Sequence, residues 1–100
     1  MREIIEKNID ELKELCVLHN VAMLFVFGSV LTRKFNKNSD VDFLVSFKKM
    51  DFGDYTDNYF ELADKFEKLL NRKVDLVTDK SLKNPYFIES VNNNKLQIYG

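Results

Sequence analysis

Three aspartates in this sequence lie where carboxylates can act together. Asp40 and Asp42 stand two residues apart at the start of an apolar stretch, Val41-Asp42-Phe43-Leu44-Val45. Along a β-strand, side chains at i and i+2 leave the same face about 6.6 Å apart. Both carboxylates can then lean toward one point, while Val41 and Phe43 turn toward a core. Asp75 repeats the pattern, set between Val74 and Leu76 in Lys73-Val74-Asp75-Leu76-Val77. If the two strands are neighbours, all three carboxylates converge. Uncompensated, such a cluster is unfavourable, because like charges repel and desolvation costs several kcal/mol per ion. Divalent cations reverse the sign of that argument. Two Mg²⁺ ions about 3.5–4 Å apart form the clamp used for in-line displacement at phosphorus.

Gly28-Ser29 supplies the other half of the expected site. Glycine directly after a buried strand lets backbone approach a ligand closely. The first backbone N–H groups of a following helical turn then point outward and can hold phosphate oxygens. Ser29 adds a hydroxyl, and Arg33, Lys34 and Lys37 add cations within reach. The G-x-x-x-x-G-K-[ST] loop and the G-x-G-x-x-G turn are both absent, so neither a P-loop nor a dinucleotide fold is indicated. Singly, each piece has an ordinary reading: a strand-end turn, a loop cap at Ser39-Asp40, a salt-bridged strand residue at Asp75. The combination carries the chemistry.

The elements that must position these residues are legible as periodicities. Residues 2–19 read as an amphipathic helix, with Ile4, Ile5, Ile9, Leu12, Leu15 and Cys16 at three- and four-residue steps. Cys16 on that stripe reads as a small core residue, and His19 as a last-turn cation suited to the helix dipole rather than a catalytic base. Asn20 reads as a helix stop, and Asn71-Arg72 as the end of a later helix. Val21 to Phe27 is an unbroken apolar run, expected as a strand covered on both faces. A short helical turn is expected over 29–34, a loop over 36–39, a strand over 41–45 and another loop over 48–54. A helix follows at 55–70, capped by Thr56 or Asp57, then a strand at 73–77. Asn84-Pro85 opens a short helix through Val91, and 96–99 is an edge strand. Alternating helices and strands give an α/β domain.

Composition bounds the rest. One hundred residues predict a single domain over 1–100. With 15 Lys+Arg against 16 Asp+Glu, the net charge of −1 argues against a dedicated nucleic-acid-coating protein. One Cys and one His exclude an internal disulfide and a Cys-type zinc site, leaving carboxylates and hard ions. No apolar run reaches a membrane span of about 20 residues. The charged N-terminus is not that of a signal peptide, so a cytoplasmic location is expected.

Read together, GSVLTRKFNKNSDVDFLV followed by KVDLV resembles the nucleotidyltransferases of the DNA polymerase beta superfamily, and within it the minimal, MNT-type domains. Their pattern is Gly-Ser, a short basic helix, Ser-Asp-x-Asp and a later strand Asp. The resemblance is strong over residues 21–78 and looser elsewhere. It implies a DNA polymerase beta-like fold, with a mixed central sheet and helices packed on it. Asp40, Asp42 and Asp75 would be the metal-binding and catalytic carboxylates, with Asp75 also a candidate proton acceptor. Gly28 and Ser29 would contact the triphosphate. Leu31-Thr32-Arg33 stands where relatives commonly carry Ala-Arg-Gly, so Arg33 and Lys34 are the candidates to replace the displaced cation.

The implied reaction is attack of an acceptor hydroxyl on the α-phosphate of ATP or another nucleoside triphosphate, assisted by two Mg²⁺ ions, with pyrophosphate leaving. The resemblance further implies a HEPN-type toxin as partner and the antitoxin role, since some such antitoxins attach AMP to a tyrosine of the toxin; it is compatible with an oligomer. Two alternatives remain at this level: a non-catalytic nucleotide- or partner-binding antitoxin module, and a subunit that modifies a small hydroxylated molecule as aminoglycoside nucleotidyltransferases do. Phe47, Phe52, Tyr55, Tyr59 and Phe60 could dock a partner, although such a pattern is more often core.

Overall fold

Chain order in the computed structural model, which describes residues 3–100, runs α1 (Glu3–Glu6), α2 (Ile9–Leu18), β1 (Val21–Phe27), a 3-10 turn (Gly28–Leu31), β2 (Val41–Phe47), α3 (Phe52–Leu70), β3 (Val74–Thr78), a second 3-10 turn (Asp79–Ser81), α4 (Pro85–Asn93) and β4 (Lys95–Tyr99). Arg2, at the expected start of the first helix, and the side chain of Phe52 lie outside the described residues.

The four strands form one sheet in the order β3-β2-β1-β4. β2 and β3 are parallel, and the other two pairs are antiparallel. A parallel pair needs a crossover connection, and α3 supplies it. This is the mixed sheet with packed helices that the resemblance implies.

Apolar patterning sorts the two faces. One face carries the larger core, where Leu12 and Cys16 of α2 and Leu62 and Phe66 of α3 meet Val26, Val41, Phe43 and Val45, all fully buried. The other carries a smaller cluster of Phe27, Leu44 and Val91, flanked by Phe25, Val77 and Leu82. β1 serves both cores by alternation, with Leu24 and Val26 on one face and Phe25 and Phe27 on the other, and its ladder slips between Val21 and Met23. That bulge brings Val21 onto the face of Leu24 and Val26, and Met23, 42% exposed, is the exception to two-sided cover.

The bounds of β2, β3 and β4 and the end of α4 shift by one or two residues, and three departures from expectation are larger. The first helix breaks at Lys7-Asn8, where the Asn8 amide donates to the Ile4 carbonyl at 2.8 Å and competes with the helical ladder. The helical turn expected over 29–34 is a tighter 3-10 turn ending at Leu31. The third helix begins at Phe52 rather than at 55, so neither Thr56 nor Asp57 caps it. The asparagine helix ends are as read: Asn20 and Asn71 stop helices at φ of 57° and 53°, and Asn84 caps the start of α4, accepting from the amides of Tyr86 and Phe87.

The free edge of the sheet at β3 is closed by α3. Glu67 accepts from the Val74 N–H at 2.9 Å, and the Tyr59 hydroxyl donates to the Leu76 carbonyl. An edge strand otherwise offers such groups to another chain.

Candidate active site

Register decides how the acidic residues meet. Asp42 of β2 lies directly opposite Asp75 of β3, and Phe27 of β1 lies opposite Asp42. Residues directly opposite across a ladder share a face, and neighbouring strands are about 4.8 Å apart. Asp42 and Asp75 therefore stand side by side on the face of Phe27 and Leu44. Val41 and Phe43 are fully buried on the other. Asp40 precedes β2 by one residue and is exposed, as is Asp75, while Asp42 is half-buried.

Gly28 completes the corner. Its φ of +80° is a left-handed conformation that glycine adopts without cost. A Cβ built there would run into the Asp42 carboxylate, with Cγ at 3.3 Å and Cβ at 3.5 Å. Only a residue without a side chain lets this turn and that carboxylate share the space. Ser29, half-buried, follows in the 3-10 turn. Thr32 is engaged within the turn itself, donating its hydroxyl to the Ser29 carbonyl at 2.9 Å and accepting from the Lys34 amide at 3.2 Å. Arg33 and Lys34 are exposed just beyond it.

Electrostatics mark Asp42 as the strained member. Burial first, then the charges of Asp75 and Asp40, push its carboxyl from 3.8 up to about 6. Ion pairs among the described residues are His19–Glu61 and Lys68–Asp64, and neither involves the three aspartates. Among the described residues, no cationic side chain is paired with the cluster. Its all-oxygen donor set suits a hard divalent ion such as Mg²⁺. Among the described residues, no three His, Cys, Asp or Glu side chains close into a complete metal-binding set. A cation here would draw its remaining ligands from water and from substrate phosphates, which is the usual habit of Mg²⁺.

Other singled-out residues have structural roles. Cys16 is fully buried, and burial raises its thiol to about 12, which keeps it protonated and inert. His19, 4% exposed, closes α2, with Nδ1 2.9 Å from the Leu15 carbonyl and Nε2 3.9 Å from Glu61. In the aromatic stretch, Phe47 and Tyr59 pack against the core and Tyr55 stacks edge-on against Phe47, whereas Phe60 is 66% exposed. Arg72 is a residue that sequence reasoning missed. It reaches back to the carbonyls of Asn36 and Ser39, just ahead of Asp40. No sequence signal announces a side chain whose partners are backbone carbonyls more than thirty residues away.

With this geometry in place, similarity to known proteins becomes decisive. Residues 5–98 match the family described as nucleotidyltransferase domain. The chain belongs to that family. A candidate protein adenylyltransferase of Methanocaldococcus jannaschii, MJ1379, is 32% identical over 98 residues that cover 98% of this chain and 94% of that one. Among solved structures, a candidate minimal nucleotidyltransferase superposes with a TM-score of 0.78 at 28% identity, covering 94% of this chain and 92% of the other. A toxin–antitoxin structure with AMP-PNP gives a TM-score of 0.72 at 25% identity, covering 93% and 73%. The fold extends to the complex of a tri-AMPylated HEPN toxin of Shewanella oneidensis with its MNT antitoxin, at a TM-score of 0.66 and 22% identity over 95% and 71%. No helix among the described residues of this nucleotidyltransferase domain is long and apolar enough to cross a membrane.

Proposed function

We propose that this nucleotidyltransferase transfers AMP from ATP to a hydroxyl group on a HEPN-type toxin and so acts as the antitoxin of the pair. The observation that carries the reading is the side-by-side register of Asp42 and Asp75 against the Gly28 turn. The adenylyltransferase name of MJ1379, the AMP-PNP bound by one structural relative and the AMPylated toxin held by another support the choice of donor and acceptor.

In this reading Asp42 and Asp75, with Asp40 at the rim, hold Mg²⁺. When bound, the metal neutralises phosphate charge and makes the acceptor hydroxyl more acidic. The backbone of Gly28-Ser29 and the Ser29 hydroxyl receive the triphosphate, and Arg33 and Lys34 balance its outer charge. The acceptor oxygen forms a new bond to the α-phosphorus as the bond to the bridging oxygen of the β-phosphate breaks. Pyrophosphate leaves, and Asp75 takes the hydroxyl proton. The strained, unneutralised state of Asp42 favours this use, because a binding site built for a cation is most repulsive when empty.

Thr32 supports a second reading. Its hydroxyl is committed to the turn, where relatives commonly supply an arginine, so a nucleotide-binding but non-transferring antitoxin is the alternative. The two separate when the protein is incubated with α-labelled ATP and Mg²⁺, with and without a HEPN-type toxin protein. Transfer predicts covalent label on that protein, abolished by EDTA. Bound nucleotide without label transfer supports the silent module and contradicts the proposal.

A further inference from the structure

Sheet pairing places Asp42 and Asp75, but Asp40 lies ahead of β2 and no ladder holds it. What fixes its approach is the turn 36–39. That turn is braced internally: the Asn36 N–H donates to Ser39 Oγ at 3.1 Å, the Asn38 N–H to Asn36 Oδ1 at 2.8 Å, and the Ser39 N–H to the Asn36 carbonyl at 3.0 Å. It is tied to the rest of the molecule by Arg72, which follows the left-handed stop at Asn71. Arg72 Nη1 donates to the Asn36 carbonyl at 2.7 Å and to the Ser39 carbonyl at 2.9 Å. The guanidinium also stacks on Phe35, with Cζ 4.3 Å from the ring centroid. One residue later, the Lys73 carbonyl accepts from the Val41 N–H at 3.0 Å.

These contacts form a clamp around Asp40. Arg72 grips the residue before it, and Lys73 grips the residue after it. A guanidinium is a planar, pre-organised fork that can stack and donate in one geometry, whereas an ammonium is a mobile point charge. Here one nitrogen of that group, Nη1, serves two neutral carbonyls while its plane covers an aromatic face.

We propose that Arg72 is a positioning residue for the metal site: by clamping the 36–39 turn against the start of β3, it holds Asp40 beside Asp42 so that both carboxylates can grip one divalent cation. This rests on the reading of the three aspartates as metal-holding groups, and it adds the device that turns a loop carboxylate into a fixed ligand. Residues that orient metal ligands typically account for about 10- to 100-fold in metal affinity.

The test is Mn²⁺ binding to the full-length chain in the presence of AMP-PNP, followed by the loss of the free-ion signal in electron paramagnetic resonance. Arg72→Met is expected to weaken Mn²⁺ binding about tenfold. Arg72→Lys is expected to fall between wild type and Arg72→Met, and it carries the comparison if the methionine variant does not fold. In an Asp40→Asn background, Arg72→Met is expected to change binding by less than about twofold, because the residue it acts through is already gone. A merely structural arginine would cost the same in both backgrounds. Wild-type affinity in both arginine variants, or an undiminished loss beside Asp40→Asn, overturns the inference while leaving the pocket intact. Wild-type Mn²⁺ binding that is absent, or unaffected by Asp42→Asn, overturns the pocket and the inference together.

Discussion

The Asp42 carboxylate carries an energetic cost that its neighbours impose. Burial and the charges of Asp75 and Asp40 raise it from 3.8 to about 6. A carboxyl raised on folding adds its full stability only below 3.8 and loses it as pH climbs through about 6. At pH 7.5 the metal-free protein therefore bears the whole penalty. Two pH units correspond to about 3 kcal/mol, reduced to about 1 kcal/mol for a half-buried group screened by solvent. Asp42→Asn is expected to raise the melting temperature of the metal-free protein by about 4–8 °C at pH 7.5, a gain that shrinks toward pH 4. The same variant is expected to lose the stabilisation that Mg²⁺-ATP gives wild type, and to lose label transfer. Thermal melts across pH, with EDTA and with Mg²⁺-ATP, read out both effects; a variant that melts with wild type under every condition contradicts the crowding. Gly28 makes the opposite kind of prediction. Gly28→Ala forces a Cβ onto the Asp42 carboxylate at a left-handed φ, and displacement of a catalytic group by about 1 Å can cost about 100-fold in rate. Label transfer by Gly28→Ala within a few-fold of wild type would show that the turn does not need to lie so close.

At the scale of elements, α3 both crosses over between the acid-bearing strands and seals the edge that carries Asp75. Removing its two capping side chains, Tyr59→Phe with Glu67→Ala, frees the Leu76 carbonyl and the Val74 N–H. Each lost hydrogen bond is worth about 1 kcal/mol, and the opened edge invites strand pairing. Light scattering on the double variant is expected to show self-association at concentrations where wild type does not change; an unchanged mass would mean that the edge is protected by something else. Legibility in the sequence varied with the kind of signal each element carried. The Val21–Phe27 strand was read with its bounds intact because an unbroken apolar run has few alternatives. The break at Lys7-Asn8 was invisible because Ile4, Ile5 and Ile9 continue the stripe across it. The early start of α3 was hidden by Asp51 and Gly53, which read as loop residues but are the N-cap and part of the first turn. Asn20, Asn71 and Asn84 were readable as punctuation, since their roles are local, and Arg72 was not, since its role is tertiary.

For the whole molecule, one sheet face packs the larger core while the other gathers the acidic corner, the Gly28 turn and the smaller cluster under α4. The α/β class followed from the alternation of helical and strand periodicities, and the pairing of Asp40 with Asp42 from strand periodicity. The side-by-side placement of Asp42 and Asp75 depended on β2 and β3 being neighbours, which a sequence leaves as a condition and the parallel register supplies, whereas Asp40, ahead of β2, is not held by that register. The proposed division of labour is economical for 100 residues: the domain brings metal and nucleotide, and the acceptor arrives on another protein. Its most direct test is anomalous scattering from crystals grown with Mn²⁺ and AMP-PNP. The account predicts Mn²⁺ bridging the Asp42 and Asp75 carboxylates to the nucleotide phosphates, with the triphosphate laid along Gly28-Ser29. Mn²⁺ and nucleotide bound together elsewhere on the molecule, with that corner holding neither, would contradict it.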